Sequence, residues 1–230
     1  MAIPFKIFEV IEPKDLGVIA SKLKDLRILE EEYINGKVVE VGMEVSDLRL
    51  EDGSLKGIIE TSFVASFRYK SEFYRAPITV DAPFEFYEYE DRLLLIFEAK
   101  KARANKLAVF LSQVLAAKKN AIIEAYIPHK TLKAMHEENP MGTKVIFFDE
   151  VKLPNVKKLA LYGEQLRDSR LYQEYLRLGK IWYVVFEIEG IVVGVTRNCV
   201  VTVFSRIDPE DALALVKEKI IPRTEPPPIE

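Results

Sequence analysis

Hydrophobic residues recur with two different periods along the chain, and each change of period marks a change of secondary structure. After Glu12-Pro13, the apolar residues Leu16, Ile19, Leu23 and Leu26 keep helical spacing, which predicts an amphipathic helix. Beyond the turn residues that follow, apolar and polar positions mostly alternate, which predicts strands. These predicted strands cover residues 37–50, 55–70, 78–80, 84–90 and 93–98.

The strand at 93–98 runs directly into a second helical pattern, in which Leu107, Leu111 and Val114 share one face. The rest of the chain repeats this alternation of strands and helices. It predicts helices at 129–138, 169–179 and 209–221 and strands at 144–148, 158–162, 181–188, 191–196 and 199–205. We therefore predict an α+β fold with two antiparallel β-meander lobes, each with a helix packed on its sheet and pseudo-symmetric if the lobes arose by duplication.

The predicted lobes cover residues 1–138 and 139–221, because Asn139-Pro140-Met141-Gly142 interrupts the pattern between them. The proline-rich tail at 222–230 cannot continue the last helix, and we expect it to be disordered.

Composition indicates a folded globular protein without a global attraction to nucleic acid or membrane. Of 230 residues, 49% are hydrophobic, enough for a proper core, and the formal net charge is only -3. The single cysteine, Cys199, lies in an apolar run, which predicts a buried thiol rather than a disulfide or zinc site. Because no apolar run is long enough to span a bilayer, we expect a cytoplasmic protein with no membrane partner. Abundant Lys, Arg, Glu, Ile and Val with scarce Gln are typical of proteins from hot environments.

The two helices that follow apolar strands begin with opposite charge. The last helix begins with acids at Asp208-Pro209-Glu210-Asp211, which suit the positive end of the helix dipole. The helix after residue 98 begins with bases, here called the basic helix start: Lys100, Lys101, Arg103 and Lys106. Such a cluster is unfavourable unless an anion binds there, so it predicts an anion or phosphate site. Alternatively, Lys100 and Lys101 end the strand and pair with Glu98.

Aromatic and basic residues are interleaved from Phe67 to Arg75, as in proteins that bind single strands. Strand alternation places Phe67 and Tyr69 on one face and Arg68 and Lys70 on the other. We therefore expect the aromatics to fill the core and the bases, with Arg75, to track a nucleic-acid backbone. Exposed aromatics that stack on bases are the alternative.

Glu98-Ala99-Lys100 after an apolar strand resembles the E-x-K end of the PD-(D/E)xK nuclease superfamily. The resemblance implies a divalent ion, Mg or Mn, held by Glu98 and by an upstream acid, Asp81 or Glu85, with Lys100 orienting water. The chain departs from the family at Pro83-Phe84-Glu85, where a Pro-Asp pair is usual. A second apolar run followed by E-x-K occurs at Glu150-Val151-Lys152, so the motif arises here more than once.

Other chemistry has little support in the sequence. His129 and His136 are seven residues apart, a poor spacing for metal ligands, and we expect them to lie on the surface. Phosphate-loop, dinucleotide-binding and esterase-elbow motifs are absent.

The sequence favours a non-catalytic protein without a cofactor that binds DNA or RNA phosphates through the basic helix start and Arg68, Lys70 and Arg75. A metal-dependent nuclease and a protein-interaction module, which includes a homodimer, are the alternatives.

Overall fold

A computed structural model describes residues 2–51, 53–138 and 142–227 of the chain. Residue 52, between the strands predicted at 37–50 and 55–70, the interruption at residues 139–141 and the end of the tail at 228–230 lie outside these ranges. Within them the chain forms twelve strands and five α-helices, and the strand pairs given below are antiparallel. The predicted α+β class is confirmed at this level, and the pseudo-symmetry of the lobes stays a prediction.

The helices and strands are numbered here in chain order. The strands are β1 (Ile3–Val10), β2 (Arg27–Ile34), β3 (Lys37–Glu51), β4 (Ser54–Tyr69), β5 (Glu72–Tyr89), β6 (Arg92–Phe97), β7 (Ile122–Glu124), β8 (Val145–Asp149), β9 (Leu159–Tyr162), β10 (Lys180–Ile188), β11 (Ile191–Thr196) and β12 (Val200–Val203). The α-helices are α1 (Leu16–Leu23), α2 (Lys101–Ala116), α3 (His129–Glu138), α4 (Arg170–Leu178) and α5 (Pro209–Leu215).

The chain divides into two compact units. The first unit is residues 10–123, and the second unit combines residues 1–9 with residues 124–230. This division differs from the boundary expected after residue 138, because residues 124–138 and the first nine residues make their contacts within the second unit. Ala125 N–H, for example, donates to the carbonyl of Ile7 at 3.3 Å.

The first unit is an antiparallel meander of five strands in the order β2-β3-β4-β5-β6. Its core lies on the face that carries Leu55, Ile59 and Phe86, all fully buried, and α2 contributes Leu107 and Leu111 to the buried residues. These residues recur with period two in the strands and with helical period in α2, as the sequence predicted. Burial of this apolar face stabilises the unit.

The strands β4 and β5 are much longer than their neighbours. β3 pairs with β4 only as far as Ser62, and β6 pairs with β5 only from Phe84 onward. Beyond those points β4 and β5 pair only with each other, from Phe63 opposite Ile78 to Tyr69 opposite Glu72. Residues 63–80 therefore form a two-stranded extension of the sheet, called the arm below.

The second unit contains strands in the order β1-β12-β11-β10-β8-β9. Its buried residues include Phe148, Val184, Phe186 and Val201. The helix α4 lies within the predicted range 169–179, since Ser169 accepts the N–H of Tyr172 and Gly179 follows the last helical residue.

The first residues of the proline-rich tail, 222–227, make defined backbone contacts, and the disorder expected of the tail stays a prediction. The preceding residue, Ile221, is fully buried and opens a 3-10 turn, Ile221–Arg223. Glu225 and Tyr126 exchange backbone hydrogen bonds of 2.7 and 3.3 Å. Proline blocks a helix but leaves these neighbouring backbone groups able to pair.

None of the helices in the described ranges combines the length and the apolar character that a membrane crossing requires.

Candidate interaction surface

The arm carries an exposed apolar face that continues the core face of the first unit. Ile59 and Ala82, opposite each other in the register, are completely buried. Farther along the same face the side chains become 38 to 61% exposed. These exposed residues, called the apolar strip, are Phe63, Phe67, Tyr69, Tyr74, Ile78 and Val80. The small pair Ala65 and Ala76 lies between them.

This exposure corrects the expectation that the arm aromatics fill the core. Phe67 is 50% exposed and Tyr69 is 61% exposed, although both lie on the face that is buried farther down the sheet. The helix α2 reaches only to the base of the arm, where Arg103 Nη2 lies 3.4 Å from Thr61 Oγ1. Strand alternation correctly predicted the two faces, but the reach of α2 decides which part of a face is covered.

Two aromatic side chains of the apolar strip contact each other. Phe67 and Tyr74 are opposite each other and stack, with ring centroids 5.7 Å apart and an interplanar angle of 16°. The hydroxyl of Tyr74 donates to the Glu72 carboxylate, and this hydrogen bond raises the pKa of Tyr74. Glu72 therefore places a carboxylate at the tip of the strip, beside an open cleft that Lys70 and Ser71 also line.

The bases of the arm lie on its other face or at its turn, and all have partners. Arg75 forms an ion pair with Glu32 at 3.0 Å, while its carbonyl accepts from Asn35 Nδ2 at 3.2 Å. Arg68 Nε donates to the carbonyl of Lys70 at 2.9 Å. The Lys70 ammonium lies 5.5 Å from the ring centroid of its neighbour Tyr69.

The basic helix start lies at the base of the arm. Lys100 is the N-cap residue of α2, with an extended backbone, and its side chain makes no capping hydrogen bond. Within the described ranges, the ammonium groups of Lys100, Lys101 and Lys106 have no hydrogen-bond or ion-pair partner, Glu98 included. The positive end of the helix dipole and three cations are thus left together without an anion.

Arg103, in contrast, is held by the sheet. Its Nη1 donates to the carbonyl of Asp81 at 2.8 Å, and Nη2 donates to the carbonyl of Val80. Burial lowers the pKa of Arg103, and the Asp81 charge acts in the opposite direction. Because Arg103 also approaches Thr61, it fixes the basic helix start on the strip face, whereas Arg68 and Arg75 belong to the opposite face. The predicted basic residues are therefore divided between two faces.

The residues of the nuclease resemblance lie along β5 and just after β6. Glu98 N–H donates to the carbonyl of Pro83 at 2.9 Å, and burial raises the pKa of Glu98. Glu85 is buried opposite Ile96, while Asp81 is exposed. In the described part of the chain, no group of three or more His, Cys, Asp and Glu side chains could hold a metal ion.

The expectation that both histidines lie on the surface is wrong for His136. This side chain is fully buried, its Nδ1 lies 2.8 Å from Thr143 Oγ1, and its ring packs edge-on against Tyr172. Burial lowers the pKa of His136 to about 4. His129 is partly exposed, and its Nδ1 accepts the N–H of Ile181 at 2.7 Å. The position of His136 beside Leu132 and Met135 on the apolar side of α3 was the available signal.

The second unit contains an aromatic cluster that was not predicted from the sequence. Phe147 on β8 contacts Trp182 and Tyr183 on β10, at centroid distances of 5.8 and 5.6 Å. The Lys158 ammonium lies 4.4 Å from the Trp182 ring. The register of β8 and β10 shifts between Ile181 and Tyr183, and this bulge brings Trp182 to the cluster.

The second E-x-K string belongs to an ion network near this cluster. Glu150 forms ion pairs with Arg197 at 2.9 Å and with Lys180 at 2.6 Å, and Arg197 also pairs with Asp149. These pairs lower the pKa of Glu150. Glu150 is therefore occupied by two cations.

No protein-family model and no curated protein matches this chain.

Proposed function

We propose that the chain is a non-catalytic protein-interaction module and that the apolar strip of the arm is its contact surface. The observation that carries this proposal is the continuity of the strip with the core. The same sheet face is fully buried at Ile59 and Ala82, and it is 38% or more exposed at Val80, one pair farther out, and at Phe63 and Ile78, two pairs farther out.

The composition of the strip supports an interface. Four of its six residues are aromatic, and aromatic side chains are enriched at the buried centres of protein interfaces. The largest contiguous apolar patch on a monomer, typically about 300 to 600 Å², is often a functional surface. The stacked pair Phe67–Tyr74 is already ordered, so a partner would lose little side-chain entropy there.

A photo-crosslinking amino acid at Phe67 in the full chain tests this function in cells of the organism that encodes it. The matched control is the same substitution at Val109 on α2, which is 46% exposed and lies outside the arm. We expect one discrete adduct from position 67, identified by mass spectrometry, that disappears when Phe63 is changed to Lys. Equal, diffuse labelling from both positions would refute an interaction role.

Nucleic-acid binding is the second candidate, and one observation favours it. Lys100, Lys101 and Lys106 present three unpaired cations at an uncapped helix N-terminus, a suitable place for a phosphate. The exposed aromatics of the arm would stack on bases.

A salt series with single-stranded DNA and RNA oligonucleotides tests this candidate. Changing the three lysines to Glu should weaken binding and reduce the slope of log affinity against log salt by about 2 to 3. The control changes three exposed lysines elsewhere in the first unit, Lys14, Lys24 and Lys37, to Glu. Equal losses in both variants, or absence of binding at low salt, would exclude a site at the helix start.

A further inference from the structure

We propose that the apolar strip binds the same strip of a second copy of this chain, so that two arms lie antiparallel, face to face, around a two-fold axis. In this arrangement Glu72 at the tip of each arm meets the basic helix start of the other copy. The inference rests on the proposed function, since it names the partner for the strip.

The register of the arm has the symmetry that such a contact requires. Ala65 and Ala76 face each other at the centre of the strip. On the tip side of this pair, four residues away, Tyr69 faces Glu72, and on the base side, again four residues away, Thr61 faces Val80. A two-fold axis through the alanine pair therefore places the tip of each arm over the base of the other, about 13 Å from the axis.

The shape of the strip also suits a second strip. The alanine pair is flanked on one side by Phe63 and Ile78 and on the other by Phe67 and Tyr74. Sheets that pack face to face stand about 10 Å apart and interdigitate their side chains. The small central pair lets the two sheets approach, and the stacked rings of one copy then pack against Phe63 and Ile78 of the other.

Charge complementarity selects a second copy rather than an unrelated apolar partner. The strip face carries an acid at one end, Glu72, and the basic helix start at the other, where Arg103 contacts Thr61. An antiparallel contact joins these unlike ends twice, once at each end of the interface. The Glu72 carboxylate of one copy would lie beside Lys100, Lys101 and the N-terminus of α2 in the other copy, where the described part of a single chain supplies no anion.

The available area is sufficient for a stable contact. The six strip residues are 38 to 61% exposed, and an aromatic side chain offers about 150 to 250 Å², so each strip presents on the order of 500 Å². Two copies together would bury about 1,000 Å², which is the lower limit for a specific interface. We therefore expect a reversible dimer.

Sedimentation equilibrium over a concentration series tests the dimer with the full chain. We expect a monomer–dimer equilibrium for the wild type. Ala65→Glu places two like charges at the axis and should raise the dimer dissociation constant by about 100-fold or more. Arg68→Glu, on the opposite face of the same strand, is the matched control. It should change the dimer dissociation constant by no more than about threefold relative to the wild type. Thermal unfolding establishes that both variants are folded.

A charge exchange tests the antiparallel orientation. Glu72→Lys alone should weaken the dimer about 5- to 10-fold, as should Lys100→Glu with Lys101→Glu. Combining all three changes should restore most of the affinity, because the unlike charges then meet again with reversed sign. If the losses of dimer affinity in the two separate variants multiply in the combined variant, with no recovery, the antiparallel contact is overturned.

The two proposals fail differently. A wild type that remains monomeric at all concentrations, while Phe67 crosslinks to an identified second protein, overturns the dimer and leaves the interaction function standing. A monomer without a discrete crosslink overturns both. A dimer that Ala65→Glu and Arg68→Glu disturb equally overturns the assignment of the strip.

Discussion

Lowering the pH should destabilise the second unit through the buried side chain of His136. In the folded protein this imidazole is neutral, contacts Thr143 through Nδ1, and has its Nε2 buried without a hydrogen-bond partner among the described residues. Protonation would place a charge in this site, against the ring of Tyr172. Burial is the main reason why the pKa of His136 falls from 6.5 to about 4.

The sign of the effect follows from proton linkage. Between about pH 6.5 and pH 4 the unfolded chain binds a proton that the folded chain does not bind, so stability is present above this range and is lost as pH falls through it. The difference between a pKa of 6.5 in the unfolded chain and about 4 in the folded chain corresponds to about 3 kcal/mol of unfolding free energy in total. Between about pH 7 and pH 4.5, roughly 2 kcal/mol of this should be lost.

Urea unfolding at a series of pH values, followed by tryptophan emission, measures this loss. Trp182 is the only tryptophan, and it lies in the same unit as His136. His136→Gln removes the titration and keeps a side chain that can bond to Thr143. The other histidine, His129, also has a pKa lowered by burial, so both proteins should carry His129→Gln as a common background.

The difference in unfolding free energy between the two proteins isolates the His136 titration, since the carboxylates contribute equally to both. We expect the stability advantage of the protein with His136 to shrink by about 2 kcal/mol between about pH 7 and pH 4.5. An advantage that stays constant over this range would refute a buried, neutral imidazole.

Three further predictions concern the first unit. Phe86→Ala, in the buried part of the strip face, should cost about 3 to 5 kcal/mol by urea unfolding, whereas Phe67→Ala on the arm should cost about 1 kcal/mol or less. Gly42→Ala should cost roughly 2 to 3 kcal/mol in the same assay, because φ is 140° there and a Cβ would lie 2.1 Å from a carbonyl oxygen of β2. Lys100→Asp in the Ala65→Glu background should raise unfolding free energy by about 1 kcal/mol, since it supplies the missing cap of α2. No gain in that background would mean that the helix start is satisfied in another way.

Local signals predicted the regular elements well where capping residues were present. Ser169 and Gly179 define α4, and Asp208 accepts the N–H of Glu210 at the start of α5. These side chains act within a few residues of themselves, so their effect is visible in the sequence. The unit boundaries depend on long-range pairing, such as Ala125 with Ile7, and could not be derived in that way.

The two prolines of β5 concealed the full length of this strand in the sequence. The sequence predicted separate strands around Pro83, whereas β5 continues from Glu72 to Tyr89 through both Pro77 and Pro83. The Pro83 carbonyl accepts Glu98 N–H on the outer edge of β5, and Pro77, six residues earlier, faces the same edge. Their missing N–H groups therefore interrupt no bond to β4, and a proline is tolerated at such positions.

The sequence predicted which side chains of the candidate surface share a face, but it did not predict which of them stay exposed. Alternation correctly separated Phe67 and Tyr69 from Arg68, and the charge pattern identified an uncapped start of α2. How far α2 extends along the sheet is a tertiary property, set where Arg103 bonds to the carbonyls of β5. Because α2 begins beside this contact, the aromatics of the arm lie beyond the helix and remain exposed.

The distance between the two arm tips distinguishes an antiparallel dimer of strips from any other arrangement. A spin label at Ser71→Cys would lie at the exposed turn, and the native Cys199 is buried and should stay unlabelled. In the antiparallel dimer the two labels should be roughly 36 Å apart by double electron–electron resonance, given about 3.3 Å per residue on either side of the alanine pair. This distance should vanish with Ala65→Glu. A single short distance, or no dipolar coupling in the wild type at high concentration, would contradict the antiparallel pairing of the strips.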